Sequence, residues 1–387
     1  MTTMFPAWAT GPGPVPPPPH PPPPPPPPPP RRRAGRRLAA LAVAAAVALG
    51  GVLVWQSTAG TGPAAPQLTT AQVSRRVSPA LVDIVSVLGY QQAESAGTGI
   101  VLQPSGEVLT NNHVIEGATA IRVTDVGNGR TYPARVVGYD RGRDVAVLQL
   151  SGAAGLATAT LGNSASVRVG DRVVALGNAG GQGGAPSVVT GRVLRLGAAI
   201  TASDQSAGTS ERLTGLIGHD APIQPGDSGG PLVDTAGRVI GINTAASSGY
   251  QFSGGQAQVR AFAIPVNQAM AIARRIEAGR AGAGIHLGKT AFLGVGIMSA
   301  AQAQAQGVPP GSGAAVAGVL PGTPAAGAGI AAGDVITSVG GVRVTSPEAL
   351  QAALERHHPG DRVTVGWTSQ FGQPRSATVI LAVGPAG

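Results

Sequence analysis

The hydrophobic positions of this 387-residue chain form one long uninterrupted run and many short ones. The long run is LAALAVAAAVALGGVLVW, residues 38–55, which contains no charged or strongly polar side chain. As a helix rising ~1.5 Å per residue, it would be about 27 Å long, close to the ~30 Å hydrocarbon core of a bilayer. The pattern therefore predicts one transmembrane helix at residues 38–55.

Short apolar runs separated by glycine-rich turns fill the chain between about residues 74 and 264. Short runs at this spacing are typical of strands in an all-β barrel or sandwich. Examples are VDIVSV (82–87), GTGIVL (97–102), DVAVLQL (144–150), DRVVALG (171–177) and RVIGINT (238–244). Pro265 then opens a helical stretch that Gly279 ends, as a proline in the first turn and a glycine past the last turn indicate. We therefore predict a mostly β domain over residues 74–280.

A smaller unit of strands and helices follows. Residues 281–290, AGAGIHLGKT, are small and glycine-rich and are predicted to be a linker. Strand-like runs then surround one helix, which Ser346 marks as the N-cap and Pro347 as the first position. A hairpin of RVTVGWT and SATVILAV ends the unit. We predict a small α+β domain at residues 291–384.

Composition separates the first 37 residues from the rest of the chain. Seventeen of the 35 prolines lie in residues 1–30, and five arginines follow at 31–37. Such a segment cannot bury a core and is predicted to be a disordered, extended tail. Since the arginines precede the apolar run, the positive-inside rule places the tail in the cytoplasm and the rest outside. The predicted protein is therefore single-pass in the cell membrane, with residues 56–73 as a linker.

Two alternatives remain open for the N-terminal segment. The apolar run could belong to a signal peptide cleaved within STAGTG (57–62), although it is longer than the ~7–15 residues usual for such peptides. The proline tail could be a spacer or a docking strip for a partner. We predict an uncleaved signal anchor and a spacer.

Composition also excludes several kinds of chemistry. The chain has no cysteine, which rules out disulfides, thiolate metal sites and a cysteine nucleophile. No His, Asp and Glu cluster has the spacing of metal ligands, so we predict no metal and no cofactor. The net charge of +9 is carried mainly by the tail arginines, and no nucleic-acid partner is expected.

Three strings carry the residues of nucleophilic catalysis. LTNNHVI contains His113, DRGRDVAVLQL contains Asp144, and QPGDSGGPLV contains Ser228. A serine hydroxyl needs a base to take its proton, and the base needs an acid to orient it. The chain order His, Asp, Ser is that of the chymotrypsin-like double β-barrel. We therefore predict this fold with His113, Asp144 and Ser228 as catalytic residues.

The glycines around the serine predict an oxyanion hole. Backbone N–H groups of Gly226 and Ser228 are the expected donors, with Asp227 between them shaping the turn. Glycine at 226 can take the positive φ that aims these amides inward. His219 is the one other histidine near the nucleophile, and we expect it to line the cleft or to be exposed.

Taken together, GTGIVL, LTNNHVI, DVAVLQL and GDSGGPLV resemble the HtrA/Deg family of trypsin-like serine proteases. The resemblance covers about residues 74–384 and is greatest to actinobacterial, membrane-anchored members with one C-terminal PDZ domain. It implies an extracytoplasmic serine endopeptidase that cleaves misfolded or exported proteins and assembles as a homotrimer. It also implies that the domain at 291–384 is a PDZ domain that binds peptide C-termini.

The resemblance implies two further sets of residues. The walls of the substrate pocket would be Asp220, Ala221, Pro222, Ile223, Gly241, Ile242, Asn243 and Thr244. The carboxylate-binding loop of the PDZ domain would be Phe292, Leu293, Gly294 and Val295. The isoleucines favour a small aliphatic P1 residue, and Asp220 leaves a basic P1 residue as the alternative.

One residue departs from the family pattern. The usual string is G-N-S-G-G-P, and this chain has Asp227 at the second position. Asp227 must then be solvated or paired with an arginine or an amide, and the site could stay partly disordered until a substrate or PDZ ligand binds. The alternative function is a PDZ-dominated chaperone or stress sensor with little proteolytic activity.

Overall fold

The computed structural model describes residues 67–204, 209–244, 261–282 and 284–386. The predicted tail and transmembrane helix lie outside these residues. Within the described ranges, no helix combines the length and the apolar character that crossing a membrane requires.

A short helix and a six-stranded barrel open the described chain. Their bounds are α1 Thr70–Val77, β1 Leu81–Leu88, β2 Ala93–Gln103, β3 Glu107–Thr110, α2 Asn112–Ile115, β4 Ala120–Asp125, β5 Thr131–Asp140 and β6 Val145–Leu150. The strands follow the order β5-β4-β1-β2-β3-β6, and antiparallel pairing of β5 with β6 closes the ring. Buried aliphatic side chains such as Ile84, Val108 and Leu148 fill its interior, as the alternating apolar pattern requires.

A second closed barrel follows. Its strands are β7 Arg172–Gly177, β8 Ser187–Asp204, β9 Thr209–His219, β10 Pro231–Val233, β11 Val239–Thr244 and β12 Ala261–Pro265. They follow the order β10-β11-β12-β9-β8-β7. The predicted mostly β fold with a barrel architecture is therefore confirmed.

Helix α3, Val266–Glu277, runs directly on from β12. Its buried face includes Ala269, Ile272 and Ile276, at the three- and four-residue spacing of one helix side. These side chains join a buried cluster to which both barrels contribute, for example through Leu109 and Leu176. The helix thus lies against the hydrophobic layer that the two barrels share.

The segment predicted as the second linker contains a strand. Strand β13, Ile285–Leu287, pairs antiparallel with β5, with His286 opposite Tyr139. The His286 ring also stacks on the rings of Tyr139 and His358, at centroid distances of 5.1 and 5.5 Å. This part of the chain is therefore an added edge strand of the first barrel that contacts the last domain.

The last part of the chain is a smaller α+β unit with its own core. Its elements are β14 Ala291–Phe292, β15 Val295–Ile297, α4 Ala300–Ala305, β16 Ala314–Val319, α5 Pro324–Ala328, β17 Val335–Val339, β18 Val342–Arg343, α6 Pro347–Leu354, β19 Arg362–Thr368, β20 Pro374–Ile380 and β21 Ala382–Val383. The main sheet has the order β15-β16-β17-β19-β20, with β18 beside β17, and β14 pairs with β21. Ser346 caps α6 by accepting the Ala349 amide at 3.2 Å, as predicted from the sequence.

Candidate active site

His113 and Asp144 meet at one end of the first barrel. His113 lies in α2, directly after β3, and Asp144 lies in the turn between β5 and β6. Nδ1 of His113 is 3.0 Å from Oδ1 and 2.9 Å from Oδ2 of Asp144. Because a carboxylate only accepts hydrogen bonds, Nδ1 carries the proton and Nε2 is left as the basic nitrogen.

The Asp144 carboxylate is held from both barrels. The His113 backbone amide donates to Oδ1 at 3.0 Å, and the Thr244 hydroxyl in β11 donates to Oδ2 at 3.2 Å. Asn111 donates its side-chain amide to the Asp144 carbonyl at 2.9 Å, which fixes a backbone with φ of +54°. The Asp144 side chain is 5% exposed and the His113 side chain 35% exposed, so the imidazole reaches solvent while its acid does not.

Ser228 is held against the first barrel through its backbone. Its carbonyl accepts the Thr98 amide of β2 at 2.8 Å. The Thr98 carbonyl in turn accepts the Thr110 hydroxyl at 2.7 Å, and Thr110 is the last residue of β3 before the turn that carries His113. The structure therefore brings the turn with Ser228, the predicted nucleophile, to the end of the first barrel where His113 and Asp144 lie.

Gly226 has a conformation that other residues rarely adopt. Its φ is +98°, and a Cβ there would lie 2.1 Å from the Asn178 carbonyl oxygen. The Pro225 carbonyl accepts the Gly180 amide at 2.8 Å. Since the two groups of a trans peptide point in opposite directions, the Gly226 amide points away from Gly180. This orientation leaves the Gly226 N–H available as a donor, the role predicted for it together with Ser228.

Asp227 is buried and paired with two hydrogen-bond donors. It is 1% exposed, Oδ1 accepts the Ser187 hydroxyl at 2.7 Å, and Oδ2 accepts the Gln224 backbone amide at 2.8 Å. Of the three alternatives left open by the sequence, solvent, an arginine or an amide, the structure has the amide, together with the Ser187 hydroxyl. Ser187 was missed because nothing in the sequence links it to a residue forty positions later.

Thr98 is a second residue that the sequence analysis missed. Its hydroxyl donates to the Gly226 carbonyl at 2.7 Å and accepts the Asn178 backbone amide at 2.8 Å. With its own amide on Ser228, it joins both ends of the Gly226–Ser228 turn to the first barrel. The string GTGIVL was the only available signal, and it gave no role for the threonine.

The first predicted pocket wall, residues 220–223, follows β9. Asp220 accepts the Arg192 backbone amide at 2.6 Å, so one of its oxygens is already paired with β8. Ala221 is fully buried, Pro222 is exposed, and Ile223 is half-buried against the core of the second barrel. Ile223 is therefore the apolar side chain of this wall that remains partly accessible.

The second predicted wall, residues 241–244, lies in β11. Ile242 is fully buried in the core shared by the two barrels. Asn243 donates its side-chain amide to the Pro231 carbonyl at 3.0 Å, and its own carbonyl accepts the Gly229 amide at 2.9 Å. Together with the contact of Thr244 to Asp144, these bonds place this wall behind the nucleophile turn. The pocket role of the eight residues stays a prediction.

His219 is neither exposed nor part of a cleft. It is fully buried in the second barrel, and burial lowers the pKa of its imidazole to about 4. A neutral ring enclosed by the barrel cannot reach Ser228, so the expectation from the sequence was wrong. It failed because strand alternation turned this side chain inward, whereas Asp220 next to it faces the surface.

The predicted carboxylate-binding loop, residues 292–295, joins β14 to β15. Gly294 has φ of +87°, and a Cβ there would lie 2.2 Å from Thr323. The carbonyls of Leu293 and Gly294 accept the amides of Ala325 and Leu320 at 2.9 and 3.0 Å. Among the described strands, β15 pairs only with β16, so its other edge is open.

Known protein families match both parts of the chain. The trypsin-like peptidase domain matches residues 97–242, which include His113, Asp144 and Ser228. The PDZ domain matches residues 315–367, a range that does not include the loop at 292–295. Fold and site thus define a trypsin-like serine endopeptidase with a PDZ domain.

Three individual relatives show which family of serine proteases the chain belongs to. Protease Do-like 1, chloroplastic, of Arabidopsis thaliana is 33% identical over 319 residues, covering 77% of this chain and 68% of the relative. Serine protease PepD of Mycobacterium tuberculosis is 34% identical over 341 residues, covering 84% and 69%. Periplasmic serine endoprotease DegP of Escherichia coli is 37% identical over 281 residues, covering 72% and 55%. The chain belongs to the HtrA family of serine proteases.

Proposed function

We propose that this HtrA-type protease cleaves misfolded or exported proteins outside the cytoplasm through an acyl-enzyme, with His113, Asp144 and Ser228 as its catalytic residues. The observation that carries the proposal is the pair of 2.9–3.0 Å contacts between His113 Nδ1 and Asp144. They fix the tautomer in which Nδ1 carries the proton, so that Nε2 is the nitrogen that can act as a base toward a serine.

In the first half of the reaction, Nε2 of His113 takes the proton of the Ser228 hydroxyl as Oγ attacks the substrate carbonyl carbon. The buried Asp144 carboxylate stabilises the imidazolium that forms. Nε2 then gives the proton to the leaving amine, the C–N bond breaks, and the acyl group stays on Oγ.

In the second half, a water molecule takes the place of the amine. Nε2 removes its proton, the water oxygen attacks the acyl carbon, and the proton returns to Oγ as the ester bond breaks. Both halves pass through a tetrahedral oxyanion. We assign the Gly226 and Ser228 amides as its donors, and the orientation of the Gly226 peptide supports this role.

Casein cleavage by the wild-type protein and by Ser228→Ala tests the proposal. We expect cleavage by the wild type and at least a 10⁴-fold lower rate for the variant, on the order of what triad removal costs in serine proteases. Equal inactivity of both, with suppression of aggregation retained, would instead indicate a chaperone. Mass spectrometry of the products gives the P1 residue, for which we expect small aliphatic side chains on the basis of Ile223.

We propose that the PDZ domain binds peptide C-termini as an added strand along β15. The open edge of β15 and the tight turn at Gly294 support this mode, in which backbone amides of the preceding loop hold the terminal carboxylate. Titration of the full chain with a peptide and with its C-terminally amidated form tests it. We expect the amidated form to bind at least tenfold more weakly, and equal affinities would contradict the mode.

The proposal also includes a membrane anchor and a trimeric assembly. The apolar run and the preceding arginines support a single-pass anchor at residues 38–55 with the catalytic domain outside the cytoplasm. Membrane fractionation of the full chain and of a variant lacking 38–55 tests it, and intact mass shows whether the leader is retained. The homotrimer is carried over from family resemblance, and sedimentation of the detergent-solubilised protein tests it.

A further inference from the structure

Asp83 is a buried carboxylate that the proposed reaction does not use. It lies in β1 and is 6% exposed, and burial raises its pKa to about 6. Within the described residues, no cationic side chain forms an ion pair with it. A buried charge without a counter-ion is costly, so its presence in a barrel wall calls for a structural or functional reason.

The partner of Asp83 is a glycine-rich loop of the second barrel. The backbone amide of Gly184 faces the Asp83 carboxylate and lowers its pKa, against the larger effect of burial. A Cβ at the neighbouring Gly183 would lie 3.5 Å from Asp83 Oδ2, so the loop backbone runs directly over the carboxylate. The loop links β7 to β8 and has the sequence NAGGQGG at residues 178–184.

This loop has little conformational preference of its own. Four of its glycines have positive φ, a conformation that costs them nothing and leaves the free loop many alternatives. They are Gly180, Gly181, Gly183 and Gly184, with φ between +67° and +87°. External contacts must therefore select the observed conformation, and the Asp83 carboxylate beside Gly183 and Gly184 provides one of them.

The same loop sets the orientation of the predicted oxyanion donor. Gly180 donates its amide to the Pro225 carbonyl at 2.8 Å. That bond points the Gly226 amide away from the loop. The other end of the loop is fixed by the Gly183 amide, which donates to Asn178 Oδ1 at 2.7 Å.

Asp83 and Thr98 act on the loop from one face of the first barrel. They are directly opposite each other in the β1–β2 pairing, so their side chains lie on the same face. Thr98 accepts the Asn178 amide at the start of the loop, and the Asp83 carboxylate lies against Gly183 and Gly184 at its far end. The loop is therefore tied at both ends to the barrel that carries His113 and Asp144.

We propose that Asp83 is a positioning residue of the oxyanion hole. Its carboxylate anchors the glycine loop at Gly184, so that Gly180 keeps the Pro225 carbonyl turned outward and the Gly226 amide directed at the developing oxyanion. This inference rests on the proposed serine-protease mechanism.

The experiment compares Asp83→Ala and Asp83→Asn in the full chain. Asn keeps an acceptor for the Gly184 amide, whereas Ala removes it. The matched control is Asp125→Ala, another buried aspartate of the first barrel, which instead accepts the Asn128 amide at 2.8 Å. The probes are a cleavable peptide and a peptide boronic acid with the same P1 residue. Addition of Ser228 Oγ to the boron makes a tetrahedral adduct that occupies the oxyanion hole.

For Asp83→Ala we expect kcat to fall roughly 10- to 100-fold, less than the loss of an oxyanion donor, with KM within about twofold. Boronate affinity should fall by a similar factor, while Asp83→Asn and Asp125→Ala stay within about threefold of wild type. A loss of kcat and boronate affinity in Asp83→Ala, with KM nearly unchanged and both other variants near wild type, distinguishes a positioning role from a general loss of structure. If Asp83→Ala does not fold, Asp83→Ser, whose side chain is shorter and carries no carboxylate, replaces it.

Three results would overturn the inference. Asp83→Ala could match the wild type in kcat and boronate affinity, Asp125→Ala could lose as much as Asp83→Ala, or Asp83→Asn could be as impaired as Asp83→Ala. A wild-type protein that neither cleaves the peptide nor binds the boronate would overturn the proposed function itself, and this inference with it.

Discussion

The two barrels hold their parts of the active site by different means. The acid–base pair of the first barrel is fixed through the Asp144 carboxylate, which accepts from the His113 ring, the His113 amide and the Thr244 hydroxyl of the second barrel. The second barrel fixes the nucleophile turn mainly through backbone groups and through glycines that leave room for neighbouring carbonyls. The acid–base side should therefore be sensitive to lost functional groups, and the nucleophile side to added atoms.

The largest effect tests the acid–base side. Asp144→Asn is nearly isosteric but removes the charge that stabilises the imidazolium, and its amide favours the wrong His113 tautomer. We expect kcat to fall by about 10⁴ with little change in KM. The measurement is peptide cleavage near neutral pH, with Asp125→Asn as the control for loss of a buried carboxylate. A loss of less than tenfold would show that Asp144 does not orient the base.

The next effect tests the nucleophile side by adding one methyl group. Gly226→Ala places a Cβ 2.1 Å from the Asn178 carbonyl at a φ of +98°, so the turn must move and the amide donor turns away. We expect kcat to fall by roughly 10²–10³, the cost of one oxyanion donor.

Gly129→Ala is the matched control for that variant. Gly129 also has a positive φ, +70°, but a Cβ there meets no atom within 4 Å. It should cost about 1–2 kcal/mol of stability and leave kcat unchanged. Equal kinetic losses in both glycine variants would mean that backbone strain, and not crowding at the site, sets the effect.

The next prediction is that Asp83→Asn changes stability but not activity. Asp83 lies in the first barrel, and its carboxylate lies against the glycine loop of the second barrel. Burial raises its folded pKa from 3.8 to about 6, so the folded protein binds the proton more tightly than the unfolded chain. The contribution of Asp83 to stability is then largest below about pH 4 and is lost as the pH rises through about 6. The Asp83→Asn variant has no carboxyl group to ionise. Its free energy of unfolding should therefore exceed that of the wild type by on the order of 2–3 kcal/mol once the pH has risen from about 4 to about 8.

Thermal unfolding of both proteins at several pH values measures this gain. The melting temperatures should separate in favour of Asp83→Asn as the pH rises, while cleavage stays close to wild type. Melting curves that shift in parallel at every pH would contradict the buried-charge assignment.

The smallest effect concerns Asp227. Ser187→Ala leaves Oδ1 without its 2.7 Å partner, while Oδ2 still accepts the Gln224 amide. Losing one hydrogen bond to a buried carboxylate costs about 1–3 kcal/mol, and we expect a fall in kcat of about tenfold or less. Ser187→Thr retains the hydroxyl and should retain activity. If Ser187→Ala is fully active, the turn does not depend on how Asp227 is paired.

Local patterns explain why much of the fold was predictable. Alternating apolar runs predicted strands, and the cap residues Ser346 and Pro347 predicted the start of α6, because these features depend on residues only a few positions apart. The catalytic strings were equally local, since each carries its functional residue together with the residues that shape its turn. The order His113, Asp144, Ser228 along the chain then indicated that the three strings belong to one catalytic site.

The pairing of polar groups was much less predictable. Asp227 finds Ser187 forty residues away, and Thr244 reaches Asp144 across a hundred residues. Such contacts depend on which strands become neighbours and on which face each side chain takes. His219 shows the same limit, because only the closure of the second barrel decides that its ring is buried.

The amino-acid sequence alone was thus enough to predict the mostly β fold, the three strings that carry His113, Asp144 and Ser228, and the positive φ of Gly226. Tertiary structure alone decided how the site is held: the donors on Asp144 and Asp227, the burial of His219, the pairing of β13 with β5, and the position of Asp83 under the glycine loop. The physical reason is distance along the chain. Backbone preferences and periodicity act over a few residues, whereas the partner of a buried polar group is set by the packing of two closed barrels.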